Sequence, residues 1–138
     1  MKDLLVPYRV SADFATNDRV LHAWEVRMTH GMNAERTYTL SGDSRSETRG
    51  HHAHKSVDQI FICLSGMVLI KLFTKDLSTP DYVFELMENE GIYLPTGYWR
   101  EIVFCEKSLL LVLVDKKFEE SDYIRNWNDY QYWLNSLG

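Results

Sequence analysis

Three of the chain's five histidines fall within four positions of the stretch RGHHAHKSVDQ, residues 49–59. If this stretch is a strand, residues two apart point the same way, so His52 and His54 share one face and His51 lies on the other. Two converging imidazoles suit either metal coordination or proton transfer. On an arbitrary strand such a pair more often lies on a solvated face. Here Gly50 precedes the pair and a hydrophobic run follows it, which predicts a position at the mouth of a β core.

The spacing around the pair resembles the first motif of the cupin barrel, in which a Gly and HxH are followed by a carboxylate and a second Gly. This chain has Gln59 at the carboxylate position and Gly66 at the second Gly. The second cupin motif, G…PxGxxH, is matched by Gly91, Pro95 and Gly97 but ends in Arg100 instead of His.

These two departures argue against a metal centre. A metal-binding cupin uses the two His, the carboxylate and the last His as ligands. An amide is a poorer donor than a carboxylate, and a guanidinium stays protonated and offers only hydrogen-bond donors, so Arg100 would repel a cation. We therefore predict a pocket with neither metal nor cofactor, in which His52 and His54 transfer protons and Arg100 attracts an anion or a developing oxyanion.

Three separated stretches extend the resemblance to one enzyme family: RGHHAHKSVDQIFICLSG, GIYLPTGYWREI and ESDYIRNWNDY. They resemble, in order and with natural spacing over residues 36–130, the sugar 3,4-ketoisomerases that act on dTDP-4-keto-6-deoxyglucose. The N-terminal portion departs from that family, because Asp18-Arg19-Val20-Leu21 stands where an Arg-Gly-x-Leu pattern is usual.

The resemblance implies a metal-independent cupin and a homodimer whose subunits exchange N-terminal strands. It also implies interconversion of the 4-keto and 3-keto forms of a nucleotide-linked 6-deoxyhexose through an enediol or enediolate, in deoxyamino-sugar and surface-polysaccharide biosynthesis. Arg100 resembles the branch of the family whose product has the gluco configuration at C4.

The same resemblance assigns catalytic roles. His52 is the expected base at the sugar C3–H, since an imidazole with an ordinary pKa near ~6.5 takes and returns a proton near neutral pH. His54 is the second proton carrier. Arg100 or Tyr38 is expected to stabilise the oxygen on which charge builds. An aromatic residue on a strand is more often part of the core, and that reading of Tyr38 stays open.

Substrate binding is assigned to arginines that flank the histidines. Arg36 and Arg49 match family arginines and offer bidentate donors to a pyrophosphate, although arginines in general serve surface solubility. Gln59 is expected to hydrogen-bond an imidazole and fix its orientation without adding charge. A Gln satisfied by backbone at the start of a strand is the alternative.

The elements that position these residues are short runs rich in β-branched and aromatic side chains, separated by turn residues. This pattern predicts an all-β fold, an antiparallel sandwich or barrel in a single domain of residues 1–138. The resemblance implies that it is a cupin-type barrel or jelly roll. The predicted strands are 37–40, 59–64, 67–73, 82–87, 91–95, 100–105 and 108–114.

The tail after Asp115 predicts a terminal helix packed on the sheet. Ser121 is a candidate N-cap, and Gly138 is the expected end. One side of this helix would carry Ile124, Trp127, Tyr130 or Gln131, and Leu134.

Composition narrows the function classes. The 138 residues are 45% hydrophobic and carry a formal net charge of −5, which argues against nucleic-acid binding. No apolar run approaches the roughly 20 residues of a membrane helix. Cys63 and Cys105 lie in apolar runs, where buried thiols are expected rather than a disulfide. We expect a cytoplasmic protein without a membrane or nucleic-acid partner.

Three rival functions remain at this stage. A metal-dependent cupin oxygenase or isomerase would recruit Glu101 or Glu90 as an unusual ligand. A non-catalytic cupin would bind the nucleotide sugar without converting it. A sugar epimerase would return the proton to the same carbon from the opposite face.

Overall fold

The computed structural model describes residues 3–138. Its N-terminal elements are β1 (Tyr8–Val10), β2 (Phe14–Ala15), β3 (His22–Ala23) and α1 (Val26–His30). The central strands are β4 (Arg36–Gly42), β5 (Arg49–His54), β6 (Gln59–Ser65), β7 (Met67–Phe73), β8 (Tyr82–Met87), β9 (Gly91–Leu94), β10 (Trp99–Phe104) and β11 (Ser108–Val114). A 3₁₀ turn (Glu120–Asp122), β12 (Tyr123–Ile124) and α2 (Trp127–Asn135) follow.

Two five-stranded antiparallel sheets form the body of the described chain. Their strand orders are β1-β9-β6-β11-β4 and β12-β5-β10-β7-β8. Side chains from both sheets meet in one buried cluster that includes Phe61, Ile70, Leu86 and Leu110. This architecture confirms the predicted all-β, cupin-type fold with a C-terminal helix.

The strand predictions follow the burial pattern of the sheets. Along β11 every second residue is buried, from Ser108 to Val114, because one face of the strand lines the core. The predicted strands at 67–73, 82–87 and 108–114 coincide with β7, β8 and β11. Cys63 is a buried free thiol, as predicted, and Cys105 is a half-buried one.

The predicted start of the C-terminal helix is wrong. Ser121 lies in the 3₁₀ turn, and Ile124 is extended in β12, where it pairs with Ala53 of β5. The helix begins at Trp127, and the side chain of Asn126 caps it by accepting the Asp129 N–H at 3.0 Å. It ends at Asn135, before Gly138.

Helix α2 is anchored on the second sheet through its buried face. Tyr130 is fully buried, and its hydroxyl donates to the carbonyl of Gly97 at 2.7 Å. Trp99 and Leu134 belong to the same buried cluster, which confirms that the tail helix packs on the sheet. Among the helices of residues 3–138, none has the length and apolarity needed to cross a membrane.

Candidate active site

A β-bulge in β5 aims the histidines. Arg100 of β10 is opposite His52, whereas the next residue, Glu101, is opposite Gly50, so His51 is the extra residue of the bulge. Gly50 and His51 both have positive φ, of 93° and 53°. The bulge turns His51 outward, with its side chain 52% exposed, and brings His52 beside Arg100.

A cavity of about 370 Å³ lies between the two sheets, on the inner side of the bulge. Five of the seven predicted site residues line it, and each carries a positive charge or an ionisable ring: Arg36, Tyr38, Arg49, His52 and Arg100. His54 and Gln59 are buried behind this lining. Leu40, Gly50, Phe61, Ile102 and Tyr123 complete the wall.

The two imidazoles meet edge to face. Their ring centroids are 4.9 Å apart at an interplanar angle of 86°, and Nε2 of His52 lies 3.2 Å from Nε2 of His54. Nδ1 of His52 faces the carbonyl oxygen of Gly50 at 2.9 Å. Burial, and then the positive charge of Arg100, lower the pKa of each histidine to about 3. The resting rings are therefore neutral, whereas the sequence suggested an ordinary imidazole pKa.

Asp122 is a site residue that sequence reasoning missed. Its Oδ2 lies 2.6 Å from Nδ1 of His54, and the residue is only 8% exposed. Its Oδ1 accepts hydrogen bonds from Lys55 N–H, Ser56 N–H and the Ser56 hydroxyl. Burial alone would raise the pKa of Asp122, but the hydrogen bonds from Ser56 and His54 outweigh it and hold that pKa below its ordinary value. Asp122 belongs to the ESDYIR stretch of the tail, the only sequence signal that pointed towards it.

Arg100 is a buried cation with neutral partners. It is 1% exposed, and it donates to the side-chain carbonyl of Gln59 and to the backbone carbonyl of Tyr98 at 3.3 Å. Its Nε has no hydrogen-bond partner in the described chain. Burial lowers the pKa of Arg100 to about 10, so the group stays protonated at neutral pH. A cavity lined by such a cation favours an anionic ligand.

Within the described chain the Gln59 side chain hydrogen-bonds to Arg100 and Tyr38 and to neither imidazole, so the predicted hydrogen bond to an imidazole is wrong. Its amide carbonyl accepts from Arg100, and its amide nitrogen lies 3.5 Å from the Tyr38 hydroxyl. The guanidinium is the stronger donor for the buried carbonyl, because a charged donor makes the shorter and stronger hydrogen bond.

Aromatic rings and arginines form the rest of the pocket. Burial raises the pKa of Tyr38, so its phenol keeps its proton and can donate a hydrogen bond. The guanidinium of Arg36 lies 4.8 Å from the centre of the Tyr38 ring, and Arg49 is exposed at the rim. Tyr123, a second residue not predicted, packs its ring 5.1 Å from that of His52.

The two acidic residues considered as unusual metal ligands lie away from the histidine pair. Glu101 pairs with His51 at 3.5 Å on the outer face, and Glu90 accepts the backbone N–H of Met87 in the turn before β9. Within residues 3–138, no three His, Cys, Asp or Glu side chains are grouped to hold a metal ion.

Two antiparallel sheets with an HxH pair at the end of one strand define a cupin-like protein. More specifically, the chain belongs to the FdtA family described as WxcM-like, C-terminal, whose model matches residues 12–135.

Solved structures of several proteins are similar to this chain in both fold and sequence. A variant of the 3,4-ketoisomerase QdtA from Thermoanaerobacterium thermosaccharolyticum, in complex with TDP-4-keto-6-deoxyglucose, is 29% identical, with a TM-score of 0.83 and 95% of each chain covered. The TDP-quinovose 3,4-ketoisomerase WlaRB from Campylobacter jejuni is 27% identical, with a TM-score of 0.78 and coverage of 91% of this chain and 97% of that one.

A curated relative is also named as a 3,4-isomerase of a TDP-linked keto sugar. The TDP-4-oxo-6-deoxy-alpha-D-glucose-3,4-oxoisomerase of Aneurinibacillus thermoaerophilus is 26% identical over 104 residues, which are 72% of this chain and 71% of the relative.

Proposed function

We propose that this protein is a metal-independent sugar 3,4-ketoisomerase that converts dTDP-4-keto-6-deoxyglucose into its 3-keto isomer. One observation carries the proposal: a neutral imidazole, His52, and a buried guanidinium with only neutral partners, Arg100, line the same cavity. The named activities of the similar QdtA, WlaRB and curated oxoisomerase support it. The reaction belongs to deoxyamino-sugar biosynthesis.

The pocket supplies the base and the cation that the reaction needs. His52 removes the proton from C3, and positioned proton transfer of this kind is typically worth ~10²–10⁴ in rate. Negative charge then builds on the C4 oxygen of an enediolate. Arg100 and the protonated Tyr38 stabilise that charge in a buried site, where such electrostatic help is strongest.

The nucleotide part of the substrate is held at the rim of the pocket. TDP is bound in a QdtA structure that is 29% identical to this chain. The protein carries a net charge of −5, so a pyrophosphate requires a local positive region. Arg36 and Arg49 line the cavity and provide that region.

The product has the gluco configuration at C4. Quinovose is 6-deoxyglucose, and the TDP-quinovose enzyme WlaRB is 27% identical to this chain. Arg100 also resembles the gluco-type branch of the family.

The enzyme works as a homodimer in the cytoplasm. Six large apolar side chains between residues 5 and 21 are more than 40% exposed in the single chain: Leu5, Val6, Tyr8, Phe14, Val20 and Leu21. Exposed apolar side chains concentrated in one segment favour burial against a second copy.

The proposal is tested by following the purified protein and dTDP-4-keto-6-deoxyglucose by proton NMR in heavy water. Wild type is expected to form the 3-keto isomer with deuterium at C4, and the H4–H5 coupling constant of the product formed in ordinary water reports the C4 configuration. His52→Asn is expected to abolish the exchange, because an amide cannot take the C3 proton. His51→Asn is the matched control, since His51 lies on the outer face of the same strand.

Each rival predicts a different result. Binding of the sugar without conversion or exchange would indicate a non-catalytic cupin, and inversion at one carbon would indicate an epimerase. Near-stoichiometric iron, manganese or zinc that is lost in His52→Ala would favour the metal-dependent enzyme. Near wild-type exchange by His52→Asn would remove His52 as the base.

A further inference from the structure

The contacts of the histidine pair require three protons. The carbonyl oxygen of Gly50 only accepts, so His52 donates its Nδ1–H to it across 2.9 Å. The Asp122 carboxylate accepts the Nδ1–H of His54 across 2.6 Å in the same way. A third proton belongs in the 3.2 Å contact between the two Nε2 atoms. Two neutral imidazoles carry one N–H each, so the resting pair is one proton short.

The resting site holds the pair in this proton-deficient state. Burial and the charge of Arg100 lower the pKa of His52 and of His54 to about 3, so neither ring is charged at neutral pH. The two Nε2 lone pairs then face each other and repel, and a proton between them would remove this repulsion. The geometry therefore fits the state that follows proton removal from the substrate better than it fits the resting state, as catalysis requires.

We propose that His52, His54 and Asp122 act as a single proton-storing unit, in which Asp122 is the positioning residue and the stored proton is the one taken from C3. This inference rests on the proposed ketoisomerase function. When the C3–H bond breaks, its electron pair forms the C3=C4 double bond, the carbonyl π pair moves to O4, and the proton passes to Nε2 of His52. The proton then lies between the two Nε2 atoms.

Asp122 acts through His54 and not on the sugar. Neither residue lines the cavity, and their exposed fractions are 2% for His54 and 8% for Asp122. Three donors from the loop after β5 occupy Oδ1 of Asp122 and leave Oδ2 for His54. The carboxylate thereby fixes the proton of His54 on Nδ1 and keeps its Nε2 free. Its negative charge also balances the positive charge that the pair acquires beside Arg100 and Arg36.

The fate of the stored proton depends on the product. To complete the isomerisation, the hydroxyl proton of O3 moves to O4 and a proton is added to C4. H3 and H4 lie on the same ring face in a galacto product, so the pair can return its own proton to C4. They lie on opposite faces in a gluco product, so the pair releases its proton to water and C4 takes one from water on the other face.

Asp122→Asn tests the unit because it reverses the tautomer of His54. The Asn oxygen can keep the three loop donors, and its NH₂ group then faces Nδ1 of His54, which must accept. The proton of His54 moves to Nε2 and is donated to His52, which removes the lone pair that would take the C3 proton. We expect kcat to fall by about 10²–10⁴, the range of a lost general base, with KM within a few-fold of wild type.

Nitrogen-15 NMR of the imidazoles separates this role from a structural one. Wild type is expected to show protonated Nδ1 and bare Nε2 on both rings, and Asp122→Asn is expected to show the reverse pattern on His54. Asp115→Asn is the matched control, because Asp115 accepts a backbone N–H at 3.1 Å and makes no contact with the pair. It should keep the wild-type kcat and tautomers.

The possible results have distinct meanings. A wild-type His54 protonated on Nε2 overturns the inference, even if Asp122→Asn does not fold. An Asp122→Asn protein that loses kcat without a change in the His54 tautomer also overturns the inference. The same holds for one that keeps both the wild-type kcat and the wild-type tautomer. The tautomers are measured without substrate, so a wild type that shows them but does not convert the sugar contradicts only the proposed function.

Discussion

Arg100 and Gln59, which stand at two metal-ligand positions of the cupin motifs, depend on each other because they are hydrogen-bonded. A carboxylate at position 59 would neutralise Arg100 directly, because the Gln59 carbonyl already accepts from that guanidinium. The amide satisfies the hydrogen bond and leaves the positive charge uncompensated. The buried charge is costly to the apo protein, and an enediolate in the cavity would offset that cost. An amide and a guanidinium at these two positions therefore suit the anionic intermediate of the proposed reaction better than a metal cation.

The sequence predicted the residues whose contacts are local and missed those whose contacts are distant. His52 and His54 share a face because of strand periodicity, which can be read within four residues. Asp122 reaches His54 across 68 positions, and only the pairing of β12 with β5 brings them together. Gln59 shows the same limit, since its partner depends on which neighbour is the better donor in the folded pocket.

Arg49→Ala is expected to raise KM for the nucleotide sugar about tenfold and leave kcat nearly unchanged. Arg49 lines the rim of the cavity, and a hydrogen bond to a charged group is worth about 1.5–3 kcal/mol, somewhat less at an exposed site. A contact with the pyrophosphate is equally strong in the ground and transition states, so it affects KM alone. Steady-state kinetics measure both constants.

Arg45→Ala is the matched control for this prediction. Arg45 lies four residues away, with its side chain 88% exposed and paired with Asp43 at 2.8 Å, and it does not line the cavity. Its loss should leave KM unchanged. An unchanged KM in Arg49→Ala would remove Arg49 from the phosphate site.

At the scale of elements, the bulge in β5 links the fold to the chemistry. The extra residue shifts the register by one between Gly50 and His52, which lets His51 face outward while His52 faces the cavity. Strand prediction gave the correct face for His52 and His54 but could not locate the bulge, because a bulge is defined by the partner strand. The helix start was misplaced for a related reason. Asp122 is held by the loop after β5, which keeps Tyr123 and Ile124 extended and delays α2 to Trp127.

Gly50→Ala is expected to destabilise the protein and to reduce kcat. Gly50 has a φ of 93°, and an added Cβ would lie 2.8 Å from the backbone carbonyl oxygen of Arg100. Strained backbone of this kind costs about 1–3 kcal/mol, and relief requires β10 to move. Because Arg100 would move with it, activity per folded molecule should fall as well. Thermal unfolding and kinetics on the folded fraction measure the two effects.

Gly31→Ala separates backbone strain from displacement of Arg100. Gly31 also has a positive φ, of 67°, but an added Cβ there meets nothing within 4 Å. We expect a loss of about 1 kcal/mol in stability and unchanged kcat. If Gly50→Ala kept full kcat with only a similar loss of stability, the bulge would have no role in positioning Arg100.

At the scale of the whole molecule, the N-terminal segment of the described chain leaves several large apolar side chains exposed. Strands β2 and β3 pair only with each other, and their hairpin carries Val20 and Leu21 at 82% and 51% exposure. The sheets, in contrast, bury a continuous core. A segment that presents apolar side chains to solvent in the monomer gains about 25 cal/mol for each Å² that a second copy covers.

The double substitution Val20→Asp and Leu21→Asp is therefore expected to shift the protein from dimer to monomer. Sedimentation velocity should give wild type a mass of twice 16.2 kDa and the double variant a mass near 16.2 kDa. Charges placed in a desolvated interface must lose their hydration, which outweighs the apolar contacts that they replace. Leu77→Asp is the control, because Leu77 is 45% exposed in the loop between β7 and β8, far along the chain from the hairpin. A double variant that stays dimeric would place the interface elsewhere, and a monomeric wild type would contradict the homodimer itself.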